Sequence, residues 1–244
     1  MNNVKSIRES KKNTRSRSPE KKAQEFDRIL EVGKQLFQER GKDGFTLRGL
    51  AKKLGMSPNN IYNYVKSKRE LWIAIRMKFY EQFRNENREI IKEFSGSTVE
   101  LLSRIFNHFF EFAEKDYAAF RMMHIIRSPP SEKTGPFEKK YTQFSFLGGT
   151  ARIIQKAIDK GEIKEKNAAL LSSFIFSLLL GSAMVEYIMR DIEESNNKKG
   201  KEVEEFMQFE TRNFTSKEFR KYTLKKIEKG LTDLNLVVDE SEYK

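Results

Sequence analysis

Apolar residues recur at intervals of three and four along most of this chain, and no stretch sustains the two-residue alternation of a strand. Glycines and prolines fall between the periodic blocks, so the pattern predicts an all-α protein. A first helix is expected over Glu20–Arg40, with Phe26, Ile29, Leu30, Leu36 and Phe37 inward. Two short helices follow, one carrying Leu47, Leu50, Ala51 and Leu54, the other spanning Asn59–Tyr64. A long helix runs from Lys68 to about Phe94, with Leu71, Ile75, Phe79, Phe83, Ile90 and Ile91 as its apolar residues, and Gly96-Ser97 breaks it. Helices are then expected over Thr98–Lys115 and Asp116–Arg127, a loop over Ser128–Pro136, and a helix over Phe137–Lys160 that Gly161 ends. After an apolar helix, Lys166–Glu194, come a linker at Ser195–Lys201 and a short helix at Glu202–Asn213. The last helix is capped by Thr215 or Ser216 and ends near Gly230-Leu231. No internal repeat is visible.

The segment Phe45–Leu71, FTLRGLAKKLGMSPNNIYNYVKSKREL, has the punctuation of a helix-turn-helix. Thr46 is an N-cap candidate, and Gly55 stands where a left-handed residue ends a helix and opens a tight turn. Ser57 is a second N-cap candidate, with Pro58 at the first helical position, where a missing N–H costs nothing. The next helix is too short to be stable alone and carries Asn59, Asn60, Tyr62, Asn63 and Tyr64 among Lys52, Lys53, Lys66, Lys68 and Arg69. Amides read base edges, and tyrosines and lysines hold phosphates, so this helix suits a major groove better than a core.

The stretch resembles the DNA-binding domain of the TetR family of transcriptional regulators. The likeness begins with the amphipathic Arg28–Arg40 and GKDGFT at Gly41–Thr46, and continues through LAKKLGMS into IYNYVKSKRELW. Tyr62, Asn63, Tyr64, Val65, Lys68 and Leu71 fall on the family pattern, with Val65 where Phe is usual and Tyr64 where His is usual. The resemblance is strong over Lys21–Ile75 and architectural beyond it. By motif position it implies base-edge roles for Arg48, Asn59, Asn60 and Asn63, and phosphate roles for Thr46, Ser57, Tyr62, Tyr64 and Lys68. Ser57 and Asn59 could instead be simple caps. The resemblance also implies a small-molecule effector bound by the helical domain and a lever role for the helix from Lys68; a homodimer on a palindromic double-stranded operator is expected because one reader helix buries too little DNA for tight specific binding.

Charge sharpens this picture. Met1–Arg76 holds 19 Lys/Arg against 8 Asp/Glu, and the remainder 28 against 27, so almost all of the net +12 lies on the segment with the helix-turn-helix. Phosphate attraction calls for that segregation; a basic face that serves only solubility does not. Met1–Ser18 is polar and basic, without the apolar core of a signal peptide, and reads as a disordered tail that either tracks DNA or is simply solvated. The expected organisation is therefore a tail at 1–19, a DNA-binding domain at 20–67 and an effector and dimerisation domain at 68–244. The absence of cysteine excludes disulfides and thiolate zinc sites and fits a reducing cytoplasm. Ala168–Val185 has no charge over its length, yet it is short for a membrane span and is interrupted by serines, which favours a buried bundle helix.

Candidate chemistry in the rest of the chain is apolar. Phe106, Phe109, Phe110, Met122, Met123, Phe144, Phe174 and Met184 are large and soft, and Phe109-Phe110 and Met122-Met123 put bulk on adjacent helical positions, wider than one buried face needs. They are candidate linings for an apolar or amphipathic effector, with Arg121 and Arg127 near enough in sequence to meet a carboxylate. The same aromatics can equally be core. His108 and His124 lack the helical i, i+4 pairing of a metal site, so neither a metal nor another cofactor is called for. No phosphate loop, paired-carboxylate cleft or nucleophile constellation stands out, which argues against an enzyme. The function expected is a DNA-binding regulator, a repressor released by its effector. An activator or protein-sensing regulator of the same fold, and a membrane-associated helical protein, are the alternatives.

Overall fold

A computed structural model of the chain describes residues 18–141, 146–197 and 214–233. Ten helices occupy them: α1 (Pro19–Gly44), α2 (Leu47–Leu54), α3 (Pro58–Tyr62), α4 (Lys68–Glu93), α5 (Thr98–Lys115), α6 (Tyr117–His124), α7 (Pro136–Lys139), α8 (Phe146–Asp159), α9 (Ala168–Asn197) and α10 (Ser216–Thr232). Strong local signals set most of their starts. Ser18, Thr46, Ser57, Ser67, Ser97, Asp116 and Thr215 each accept a backbone N–H of the first turn, and Ser97–Glu100 and Thr215–Glu218 are full capping boxes. Gly41, at φ 64°, interrupts α1 where the turn was expected.

The helix expected over Phe137–Lys160 is two helices: the four-residue α7, then α8 beginning at Phe146. Apolar periodicity carried across the junction, but Lys140 and Tyr141 leave the helix. α6 ends at His124 rather than Arg127, and α9 continues to Asn197 through what read as the start of a linker. The helix expected at Glu202–Asn213, like the basic tail, lies outside the described residues.

One continuous core runs through both halves of the chain. Trp72, on the first turns of α4, is fully buried between Phe37 of α1 and Phe45, each ring edge-on to it at 5.1 and 5.5 Å. α4 thus packs on α1 at one end and joins the bundle at the other. α5 is the central helix of that bundle, touching α4, α6, α8, α9 and α10. This position accounts for the width of its apolar face: Phe109 packs toward α6 and α8, and Phe110 lies under the Arg220 guanidinium of α10.

α9 buries one face and exposes the other. Ile175, Leu179, Ala183 and Met189 are buried, while Leu170, Phe174, Leu178 and Met184 are exposed. It is long and apolar enough to cross a membrane by length and composition, yet only 28% of its most apolar stretch is buried within the chain, so it is not the fully buried helix the sequence suggested. Its buried side carries an ion-pair network instead of ending in hydrocarbon. Arg220 grips Glu186, 4% exposed, through Nε at 2.9 and 3.0 Å, and reaches Glu114 of α5 at 2.6 Å. Burial opposes the charge on Arg220, but the two carboxylates outweigh it and hold the guanidinium firmly protonated.

Candidate nucleic-acid interface

α2 and α3 build a surface around very few buried contacts. α2 buries Leu47, Leu50, Ala51 and Leu54, and Gly55 at φ 68° turns the chain back. α3 has five residues and buries only Ile61. A helix that short does not hold itself together in water. Its shape is set by Pro58, by the Ser57 cap on the Asn60 N–H at 3.3 Å, and by Lys66 Nζ, which donates to the Tyr62 carbonyl at 2.8 Å. Val65, where the family usually has Phe, is fully buried and anchors the exit.

This arrangement leaves Asn59, Asn60 and Tyr62 exposed on one short helix and Asn63 exposed at its C-cap, with Thr46, Arg48 and Ser57 exposed beside it. Thr46 and Ser57 are both caps: the Thr46 hydroxyl accepts the Gly49 N–H at 3.0 Å. Two residues stand differently from the expectation. Tyr64 is half-buried, its ring parallel to Phe26 at 6.0 Å. Lys68 is also half-buried, and its ammonium donates to the Lys42 carbonyl at 2.7 Å, closing the end of α1. Burial lowers its pKa below the ordinary lysine value. A phosphate contact by Lys68 therefore competes with a bond already made.

The candidate effector residues divide into three groups. Phe106, Phe109, Phe110 and Met122 are 0–1% exposed and Met123 8%, so they form closed core around α5 and α6. Phe174 and Met184 lie on the outer face of α9, 61% and 36% exposed, because the helix turns those positions away from α5 and α8. Phe144 lies outside the described residues. Arg121 and Arg127 are exposed. A cleft of about 520 Å³ sits elsewhere, between α4 and α5, beside Ile90, Arg104, Asn107, His108 and Glu111.

The two histidines differ sharply. His108 is satisfied: Nε2 meets Glu86 at 2.9 Å, Nδ1 meets Asn87 at 3.1 Å, and the ring stacks on Phe83. His124 ends α6 inside a cage of Phe109, Phe120, Phe146 and Phe176, with ring centroids 5.1–6.4 Å away. Its Nε2 is shut from solvent and has no hydrogen-bond partner. Burial, and secondarily the nearby Arg76 charge, pushes its pKa down to about 4, so the ring is neutral. Sequence spacing singled out both residues only for a metal, and the orphaned nitrogen depends on packing from four separate helices. Among the described residues no group of three or more His, Asp or Glu side chains could hold a metal ion.

Residues 29–75 match the family model of bacterial regulatory proteins of the tetR family. No curated protein sequence matches the chain. Among solved structures, the fatty acid degradation regulator FadR from Bacillus halodurans superposes with a TM-score of 0.60 at 17% identity, over 84% of this chain and 99% of that one. FadR from Bacillus subtilis in complex with stearoyl-CoA gives 0.58 at 17% identity, over 83% and 97%. The ketosteroid transcriptional regulator KstR2 of Mycobacterium tuberculosis gives 0.54 at 16% identity, over 86% and 95%. At such identities the likeness is one of fold. Residues 29–75 thus match the DNA-binding domain of the tetR family, and most of the chain shares its fold with these regulators.

Proposed function

We propose that the protein is a cytoplasmic, sequence-specific repressor that leaves a palindromic operator when an apolar, hydrogen-bonding small molecule enters its helical domain. The observation that carries the first part is α3: two asparagines exposed on a helix whose only buried residue is Ile61, with a third, Asn63, exposed at its C-cap. Amide side chains pair two-pronged with adenine edges, and exposed Arg48 suits guanine or phosphate.

A single five-residue reader buries little DNA, so affinity calls for two copies on half-sites about 34 Å apart or somewhat more. The exposed face of α9 supplies a surface for that pairing. Ser173, Ser177 and Gly181 lie on it, with Leu170, Phe174 and Leu178 beside them. Tyr222 of α10 is also exposed, whereas Ile227 and Leu231 pack within the chain. A Cβ at Gly181 would meet nothing within 4 Å in the single chain. Gly181→Trp, checked for an unchanged helical circular dichroism spectrum, should convert dimer to monomer in sedimentation; an unchanged dimer removes this face from the interface.

The effector reading rests on His124. An unpaired buried nitrogen costs about 1–3 kcal/mol, and an apolar molecule carrying a carbonyl or hydroxyl would satisfy it only if the Phe109, Phe120, Phe146 and Phe176 rings, which close around His124 in this structure, part to admit it. FadR of Bacillus subtilis, which shares the fold, is in complex with stearoyl-CoA. The close packing of Phe106, Phe109, Phe110 and Met122 favours a second reading, a regulator that senses a protein. Binding the purified chain to genomic fragments, then repeating the titration with acyl and aromatic compounds found by thermal shift, separates the readings. Failure to enrich any genomic site would end the DNA-binding proposal. A compound that stabilises the chain but leaves operator affinity unchanged would end the release mechanism.

A further inference from the structure

α3 is held in place partly by a residue that does not face DNA. Glu70, in the first turn of α4, is fully buried. One carboxylate oxygen accepts the backbone N–H of Lys66 at 2.6 Å, four residues past the end of α3. The other accepts the N–H of Phe137 at 2.8 Å, in the first turn of α7. Gly135, the N-cap of α7, offers no side chain of its own, so Glu70 caps that helix from another part of the molecule.

The approach is close. A Cβ on Gly135 would lie 1.8 Å from the Glu70 carboxylate, and Gly135 has an ordinary φ of −90°, so space alone demands glycine there. Arg69, the neighbour of Glu70, holds the same connection at both ends. It pairs with Glu138 and donates to Ser128 Oγ at 3.0 Å and to the Pro129 carbonyl at 3.4 Å. The Phe137 ring stacks on Phe26 at 4.8 Å, and Phe26 stacks in turn on Tyr64. The 128–139 connection between α6 and α8 is therefore strapped onto the exit of the reader helix by one carboxylate, one guanidinium and a three-ring stack.

We propose that Glu70 is a positioning residue for DNA reading, fixing α3 through Lys66 only while α7 of the effector domain is docked against it. The inference rests on the DNA-binding reading above and adds a route by which the α6–α8 connection sets the pose of α3. A displacement of α7 takes one of the two partners from Glu70 and leaves a buried carboxylate half-satisfied, a state the fold disfavours. The carboxylate then follows the strap or rotates, and the Lys66 N–H loses its acceptor.

Gly135→Ala tests this from a distance, since residue 135 is far along the chain from α3. The new methyl displaces the Glu70 carboxylate rather than any DNA contact. In the full-length protein, amide exchange at Lys66 and across residues 58–66 should speed up by about 10- to 100-fold, the worth of a hydrogen bond to a charged acceptor, while exchange in α9 stays unchanged. Affinity for an operator duplex recovered from genomic fragments should fall, with the salt dependence unaltered because no phosphate contact is lost. Glu70→Leu, which can accept neither N–H group, should move both readouts the same way; it carries the test if Gly135→Ala does not fold. Unchanged exchange at Lys66 overturns the proposal, as does acceleration throughout the chain, which would make the strap merely a source of global stability. Asn60→Ala on the same duplex separates the two levels: if it leaves affinity untouched, the reader assignment fails, while the exchange result still decides the strap.

Discussion

The two ends of α4 obey different rules. Around its first turns, structure is made by local polar devices: Thr46, Ser57 and Ser67 cap three successive helices, and Gly55 turns the chain between two of them. The surface that results is polar and exposed, with asparagines where a core would have leucines. Around α5 the devices are long-range. Phe83, Phe109, Phe120, Phe146 and Phe176 come from α4, α5, α6, α8 and α9 and meet ring against ring. A reader of DNA must present fixed polar groups outward, and caps spaced a few residues apart do this cheaply. The bundle instead is held by soft apolar side chains drawn from many helices, whose packing no single segment specifies.

The largest test of that contrast is at the junction. Trp72→Ala should remove about 3–5 kcal/mol from the whole molecule, because Trp72 packs on α1 and Phe45 while its helix continues into the bundle. Circular dichroism in urea should show one transition moved as a unit. Separate transitions would mean that the DNA-binding end folds by itself.

His124 tests the interior. Its folded pKa of about 4 lies below the ordinary 6.5, so the unfolded chain binds its proton first as pH falls. The histidine thus imposes no penalty above pH 6.5 and costs stability progressively between pH 6.5 and 4, up to about 3 kcal/mol. His124→Leu should flatten this part of the pH–stability profile, measured as the difference from wild type so that carboxylate titrations cancel. An identical slope in both proteins would show that the imidazole is hydrated or paired in solution.

At the DNA-reading end, Asn60→Ala should cost about 1–3 kcal/mol at matched operator positions and little on scrambled duplex. Lys68→Ala should weaken all sequences alike if the ammonium turns from the Lys42 carbonyl to a phosphate, lowering the salt slope by about one. An unchanged slope would leave Lys68 as the clasp on α1. The smallest effect is expected at Thr46→Ala, about 1 kcal/mol of stability from the lost cap on α2, read by thermal melting without DNA. A change in operator affinity beyond that loss would add a phosphate contact to its role.

The sequence by itself determined the helix-turn-helix, because its signals are short-range. A cap, a left-handed glycine and a proline at the first helical position act within four residues and are legible one at a time, and the charge segregation pointed to the same end. Local periodicity also placed most later helices, failing where α7 and α8 separate at Lys140 and Tyr141. Burial was not legible in the same way. Phe110 and Phe174 look alike in sequence, yet one is 1% exposed and the other 61%, since α5 has neighbours on all sides and α9 on only one. Nor could spacing foresee that His124 would lose its hydrogen-bond partners, or that Glu70 would reach across 67 residues to the Phe137 N–H. Those outcomes depend on which helices come together, and a contact between distant segments leaves no periodic trace in either one.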